Sequence, residues 1–420
     1  MASNKQLNID YKQICSLNDV SAFLCNLKTE ETILKMVISE TVDLTKTENS
    51  SKYSYERSEM LLNYVWEKLN TGHWSHVNIA WRQMYSALSV LKVIFTIKML
   101  EKFSRYSDDL NILKDLLKMC DIGCLMGAPI MNNVCSRLAT FFNKILIHNN
   151  FETLDFDMNA PKKRKFENPL QSFKNLESIC EIDELGLEQF VSEFKQQEKP
   201  IKITNTINHW PALDNNSQSQ WNMEYFGRIM GHRTVPIEIG NRYTDLDWTQ
   251  TLMTINTFIK EYVLNSNPTS VGYLAQHELF NQIPELSDDF DIPLYCYSGE
   301  SDEDISINMW FGPSNTVSPM HTDPRHNCLC QVFGQKYVRL YTSNQTEFLY
   351  PYDPNDMLSN TSQIDLDQDF PEIVNSFPEF EKAKGYECII GPGDILYIPP
   401  KCWHFVKSLS NSCSLSFWFD

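Results

Sequence analysis

The spacing of apolar residues divides this chain into two halves of different character. Within Tyr55–Leu69, the apolar positions Met60, Leu61, Tyr64, Val65 and Leu69 recur at helical offsets, and Gly72 follows as a C-cap. The same spacing predicts helices over Trp81–Phe103, Asp108–Met119 and Asn132–Ile147. Pro129 is the only proline before position 161, so little interrupts them. No repeat of fixed period emerges, and residues 1–150 are expected to form a helical interaction domain.

After residue 179 the pattern changes to short β-prone runs: Ile201–Thr204, Val235–Ile239, Ile305–Trp310, Cys328–Val332, Lys336–Tyr341, Ile395–Ile398 and Ser414–Phe419. Turn signals such as Phe333-Gly334-Gln335 and Gly391-Pro392-Gly393-Asp394 separate them, and helices are expected near Glu184–Phe194 and Ile255–Val263. Many short strands so spaced predict a jelly roll or barrel over residues 179–420, decorated by helices. The expected class is α+β. Residues 151–178 read as a polar linker holding Pro161, Pro169 and the basic run Lys162–Lys165. Such a run resembles a nuclear localisation signal, which docks in an acidic groove of an import receptor; the alternative is a solvated charge run. The expected location is therefore the nucleus, with the cytoplasm alongside it.

Composition narrows the classes. At 42% hydrophobic and 21% charged residues the chain is globular rather than disordered. The most apolar stretch, Met84 to Leu100, is broken by Lys92 and Lys98, and the N-terminus carries no basic start before an apolar block. Neither a membrane role nor a secretory signal is expected. Twelve cysteines without a CxxC pair suggest reduced thiols. The net charge of −18 is unevenly shared: residues 1–165 carry 21 Lys and Arg against 18 Asp and Glu, whereas residues 166–420 carry 15 against 36. So acidic a second half would repel nucleic acid phosphates and attract a basic peptide.

The chemistry concentrates in Ser318-Pro-Met-His321-Thr-Asp323-Pro324. Of nine histidines, only His321 is followed two residues later by an acid. On a strand, residues i and i+2 share a face, so His321 and Asp323 are expected to stand side by side. Downstream lies Gly393-Asp-Ile-Leu-Tyr-Ile-Pro-Pro-Lys-Cys-Trp-His404, a tight turn, a short buried strand, a proline break and a second histidine. Two histidines and a carboxylate form the facial triad of non-haem Fe(II), which leaves coordination positions open. Zinc fits less well, since no thiolate joins the set. The competing reading, two core histidines bonded to backbone carbonyls, leaves Asp323 in need of another partner if buried.

With these residues the second half resembles the JmjC-domain Fe(II)- and 2-oxoglutarate-dependent oxygenases. The likeness runs through Arg233-Thr-Val-Pro-Ile-Glu238, Arg242-Tyr-Thr-Asp-Leu-Asp-Trp248, Val271-Gly-Tyr-Leu-Ala-Gln-His277, Asn308-Met-Trp-Phe-Gly-Pro313 and Gln331-Val-Phe-Gly-Gln-Lys-Tyr-Val-Arg-Leu-Tyr341. It implies a double-stranded β-helix with Fe(II) held by His321, Asp323 and His404. It implies 2-oxoglutarate and O2 as co-substrates, with Lys336 facing the distal carboxylate. Tyr273, Ser318, Asn327 and Trp418 are the further co-substrate residues it implies. Met309 stands where a smaller residue is expected, which bears on pocket shape. Two catalytic readings follow. In the first, an arginine side chain of a protein is hydroxylated at C-3, its guanidinium held by Glu238 and Gln276 between Trp248 and Trp310. In the second, a histone N-methyl-lysine is demethylated. A third reading is a non-catalytic module that presents peptides. The expected partners are basic, arginine-containing proteins, among them histone tails and ribosomal or chromatin-associated proteins.

Overall fold

The computed structural model describes residues 11–46, 52–72, 76–102, 110–148, 175–245, 247–265, 267–299 and 305–420; the basic run Lys162–Lys165 lies outside them. The chain forms two compact units. One comprises Met1–Thr153 with Arg228–Val235 and Asn281–Ile283; the other comprises Leu154–Gly227, Pro236–Phe280 and Pro284–Asp420.

Fourteen strands are present among the described residues. They are β1 (Leu176–Ser178), β2 (Glu181–Asp183), β3 (Ile201–Thr204), β4 (Thr234–Ile239), β5 (Thr249–Thr254), β6 (Gly272–His277) and β7 (Ser306–Gly312), followed by β8 (Val317–His321), β9 (His326–Phe333), β10 (Lys336–Tyr341), β11 (Gly385–Ile390), β12 (Ile395–Ile398), β13 (Trp403–Ser408) and β14 (Ser412–Phe419). Five form one sheet in the order β1-β11-β10-β13-β8, and nine form the other in the order β2-β3-β12-β9-β14-β7-β6-β4-β5. From β7 to β14 the chain changes sheet at every step except β10 to β11, which is how a jelly roll wraps one core between two layers. The predicted helical segments are present as Leu187–Gln189 running into a wider turn at Phe190–Lys195, and Ile255–Phe258 running into Ile259–Val263. The α+β architecture expected from the sequence is the one observed.

Strand alternation sorts the side chains of this unit. Leu329, Val338, Leu340, Leu396 and Ile398 pack together inside the roll. Tyr337, Tyr341, Trp403 and Phe405 point the other way, onto Leu349, Ile364, Ile373 and Phe380 from the long β10–β11 connection. Both faces of the five-stranded sheet are therefore buried, and every residue of β10 is buried, its two cations Lys336 and Arg339 included. Gly334 turns β9 into β10 at φ +72, a backbone angle that favours glycine.

The helical unit contains α1 (Leu17–Asn26), α2 (Thr32–Thr45), α3 (Lys52–Leu69), α4 (Ile79–Lys102), α5 (Leu110–Met126) and α6 (Val134–His148). The last four answer the four predicted helices, and Gly72 at φ +83 sits just beyond α3. The first two were not predicted. A capping box marks the start of α1: the Asp19 N–H donates to Ser16 Oγ at 3.3 Å and the Ser16 N–H donates to Asp19 Oδ2 at 2.7 Å. Helix α4 is long and apolar enough to pass for a membrane span by length and composition, yet 67% of its most apolar window is buried inside the unit. Met84, Leu88, Leu91 and Ile94 show no exposed surface and place α4 in the core. All twelve cysteines are free thiols.

Deep in this unit lies a charge. Asp121 of α5 and Arg233 both have side chains at 0% exposure. Asp121 Oδ1 accepts from Arg233 Nε at 2.9 Å, Arg233 Nη2 at 2.8 Å and Gln282 Nε2 at 2.9 Å, while Oδ2 accepts from the Thr234 N–H at 2.7 Å. The two short later segments are thus fixed to α5 by four bonds to one carboxylate. Removing one partner from a pair so buried strands the other and costs about 3–5 kcal/mol. Asp121→Ala is expected to lower the stability of the full chain by that amount in urea unfolding. A loss no larger than a surface substitution gives, about 0.5 kcal/mol, would show that the carboxylate does not hold these segments.

Candidate metal centre and its pocket

Strands β8 and β13 pair antiparallel with His321 directly opposite His404, and the register shifts between His404 and Val406. The two rings lie 4.1 Å apart between centroids. Asp323 does not share a strand with His321, as the sequence pattern suggested. β8 ends at His321, and Asp323 follows in the turn. There the Lys401 N–H donates to the Asp323 carbonyl at 2.7 Å, holding the residue over the strand end. The result is the convergence the sequence implied: one ligand atom from each of His321, Asp323 and His404 lies within 4.8 Å of the others. His404 Nε2 is 3.5 Å and His321 Nε2 3.9 Å from the carboxylate oxygens.

The tautomers follow from the backbone. His321 Nδ1 sits 2.7 Å from the Pro319 carbonyl oxygen, and His404 Nδ1 sits 3.0 Å from that of Cys402. A carbonyl oxygen only accepts, so Nδ1 carries the proton and each Nε2 presents its lone pair to the centre. Burial pushes His404 down to about 4, with His321 adding to the effect, so the ring is neutral at physiological pH. Two imidazoles and a carboxylate, with no thiolate in the cluster, are the donor set of a non-haem Fe(II) site.

The cavity beside the triad is lined by Tyr273, Trp310, Ser318, Asn327 and Lys336 together with Leu329, Ile398 and Val406. Lys336 is 1% exposed, and its Nζ donates to the Tyr273 hydroxyl at 3.3 Å. No carboxylate pairs with it among the described residues. Burial therefore pulls the ammonium down to about 7. Asn327 Oδ1 and Trp418 Nε1 are buried on paired residues of β9 and β14, and neither has a hydrogen-bond partner among the described residues. Trp418 does not line the cavity. Met309 shows no exposed surface and also lies outside the cavity lining, with its neighbour Trp310 facing in.

Of the residues expected at the substrate, Glu238 on β4 stands opposite Tyr273 on β6. It accepts from Trp248 Nε1 at 3.3 Å and has no ion-pair partner among the described residues, so burial raises its carboxyl above the usual range. Trp310 is anchored by its Nε1 donating to Ser416 Oγ at 2.9 Å. Gln276 is exposed and outside the cavity lining, at φ +45 where the β6–β7 register slips between Leu274 and His277. Sequence reasoning passed over Tyr243, although it lies within a quoted motif. Its ring stands edge-on to His321 at 6.5 Å, and its hydroxyl is 3.1 Å from Thr361 Oγ1. Burial, with Asp323 and Glu238 nearby, pushes the phenol up to about 12. Thr361 was missed too; it bridges His321 from the β10–β11 connection, and no local pattern signals that.

Lys336 carries a pH prediction. Only its protonated form attracts a carboxylate, and the ligand-free value of about 7 is depressed by burial. Affinity for 2-oxoglutarate, measured by calorimetry, is therefore expected to fall as pH rises above about 7, approaching about tenfold per pH unit for a one-proton linkage. Lys336→Met should weaken binding and remove that slope. An affinity independent of pH from about 6 to 9 in the unaltered protein would show that Lys336 is not the anion's partner.

Comparison with known proteins agrees with this geometry. The family model described as a cupin-like domain matches residues 187–420. The chain is 41% identical over 370 residues to lysine-specific demethylase 8 of Danio rerio, covering 87% of this chain and 88% of that protein. It is 36% identical over 371 residues to Jumonji C domain-containing protein 5 of Drosophila melanogaster, covering 86% and 85%. The lysine-specific demethylase JMJ30 of Arabidopsis thaliana is 36% identical over 389 residues, at 86% and 85%. A strand pair that aligns two histidines, a carboxylate beyond the strand end and this extent of likeness together establish that the chain belongs to the JmjC family of cupin-like oxygenases.

Proposed function

We propose that the chain is an Fe(II)- and 2-oxoglutarate-dependent oxygenase that hydroxylates an arginine side chain, at C-3, in basic protein substrates. The observation that carries this is a pair of charges in and beside the cavity that no described residue compensates: an ammonium at Lys336 without an anion, and a carboxylate at Glu238 without a cation. A buried charge lacking a partner is costly, so a site that keeps one of each sign suits two ligands of opposite charge. The dicarboxylate co-substrate matches Lys336 and a guanidinium matches Glu238.

His321, Asp323 and His404 would hold Fe(II), which with 2-oxoglutarate would supply oxygen activation: the keto acid loses CO2 and takes one atom of O2 to become succinate, and the other atom enters a substrate C–H bond. The protein's own groups bind and orient. His321 and His404 turn their Nε2 atoms to the centre because their Nδ1 protons are held by backbone carbonyls. Lys336 and the Tyr273 hydroxyl receive the distal carboxylate, with Ser318 and Asn327, which also line the cavity, as further hydrogen-bonding candidates. Glu238 draws the guanidinium between the Trp248 and Trp310 rings, and Gln276 supplies an amide at the rim. Leu329, Ile398 and Val406 keep the cavity wall apolar.

The names of two relatives favour a second reading, demethylation of N-methyl-lysine. It shares the hydroxylation chemistry but does not call for a fork of the kind Glu238 offers a guanidinium. Mass spectrometry of arginine and methyl-lysine peptides separates them: one oxygen gained on arginine supports the first, one methyl lost from lysine the second. Deleting one member of a buried charge pair costs about 2–5 kcal/mol. Glu238→Ala should therefore raise the KM for an arginine peptide about 30-fold or more. Unchanged arginine hydroxylation by this variant would sink the arginine reading.

We also infer that the protein works in the nucleus as well as the cytoplasm, carried by an import receptor that recognises Lys162–Lys165. The acidic second half suits basic nuclear proteins such as histone tails. Replacing all four residues with alanine should shift a fluorescent fusion towards the cytoplasm, and an unaltered nuclear fraction would reduce the run to a solvated segment.

A further inference from the structure

We propose that Tyr243 is a wall of the substrate pocket, in contact with the cationic side chain being modified, and that Arg242 is the positioning residue that sets it there. The inference deepens the proposed function and rests on it.

Four observations converge on this turn. At its base, Gly240 has φ +138, and a Cβ there would lie 3.2 Å from Trp248 Cα, so the backbone at Trp248 returns close against the end of β4. The Trp248 indole N–H then donates to Glu238 on the same strand. Away from the base, Arg242 reaches two carboxylates of the β10–β11 connection, Asp365 at 2.5 Å and Asp367 at 3.1 Å. Lys407 of β13, three residues beyond His404, holds Asp367 at 2.8 Å. The ion pairs thus tie the turn to the strand that carries a triad histidine. Tyr243, the next residue, shares a hydrogen bond with Thr361, and Thr361 bridges His321.

The chemistry follows from that placement. The Tyr243 ring stands near the triad through His321 and lies within the field of both Asp323 and Glu238. Tyr243 and Glu238 both lie outside the present cavity lining, and a cation anchored on Glu238 with its reacting carbon directed to the triad would extend between the two groups that act on this ring. An aromatic ring there offers a face to the cation and keeps water from it. Neither tie alone would set the ring: the bond to Thr361 leaves the backbone free to swing, and the Arg242 ion pairs leave the phenol free to rotate. Arg242 suits the task because its guanidinium can reach two carboxylates at once, which a lysine ammonium does with less directional control.

The test is binding of a basic peptide, carrying whichever side chain the unaltered enzyme modifies, to the full chain without oxygen. KM and kcat are measured alongside. Tyr243→Ala should weaken peptide binding about tenfold, within the range of a partly desolvated cation–π contact. Tyr243→Phe, which keeps the ring and loses only the Thr361 bond, should stay within about fivefold. Arg242→Gln should raise Kd and KM about fivefold with kcat within about twofold, and Arg242→Lys should recover part of the loss. The exchange Arg242→Asp with Asp365→Arg should bind better than either single change. Peptide affinity unaltered in Tyr243→Ala overturns the wall. A fall in thermal stability or kcat in Arg242→Gln with unaltered Kd overturns the positioning role. An unaltered enzyme that takes a methyl from lysine and leaves arginine intact defeats the arginine reading instead, and the same variants are then judged on the methyl-lysine peptide.

Discussion

The hydrogen-bonded register between β8 and β13 is the constraint on which the site depends. It sets His321 opposite His404, and side chains on a strand alternate faces, so a slip of one residue would turn one imidazole out of the cavity. The neighbouring pair adds to this. On β10, Leu340 stands opposite His404, and Lys336, four residues earlier, belongs to the same face. One ladder therefore fixes two metal-ligand candidates and the anion candidate. The register is in turn protected from both sides, because apolar residues cover the inner and outer faces of the five-stranded sheet.

Electrostatics gives the cavity a direction. Burial disfavours the charged forms of both Lys336 and Glu238, and among the described residues the two form no ion pair with each other, so each favours a ligand of the opposite sign. Isolated charges of this kind oppose folding, and the apolar packing of a large domain has to outweigh them. Asp121 and Arg233 show the contrasting arrangement, in which a buried carboxylate is saturated by four donors and serves only to hold chain segments together. Burial is common to both; what separates the two is whether the partner lies within the chain.

Most of the architecture was legible because it rests on local signals. Helices α3 to α6 follow from spacing, and strands β3, β4, β7, β9, β10, β12 and β14 from short apolar runs punctuated by glycine and proline; the other seven strands were not predicted. The triad was legible because His321 and Asp323 stand two residues apart and His404 closes a distinctive turn, strand and proline element downstream. Asp323 shows where that logic stops: the i, i+2 rule placed it on the strand, whereas a backbone bond from Lys401 holds it in the turn beyond. Tyr243, Arg242 and Thr361 owe their places to contacts across more than a hundred residues of chain, which no local pattern encodes. The attachment of Arg228–Val235 and Asn281–Ile283 to the helical unit is hidden for the same reason. Helix α1 was passed over although its capping box stands in the sequence, because at ten residues it presents few apolar turns.

The two Nδ1 protons bonded to backbone carbonyls bear on metal selection. The chain itself aims both imidazoles, so a divalent cation meets donors that need little rearrangement. A site so prepared offers little ground for preferring one first-row metal by shape, and intrinsic affinity would then follow the general order in which copper and zinc exceed iron. Discrimination must come from elsewhere: from the supply of each metal around the protein, and from the open coordination positions that reward the ion whose redox chemistry the co-substrate can use.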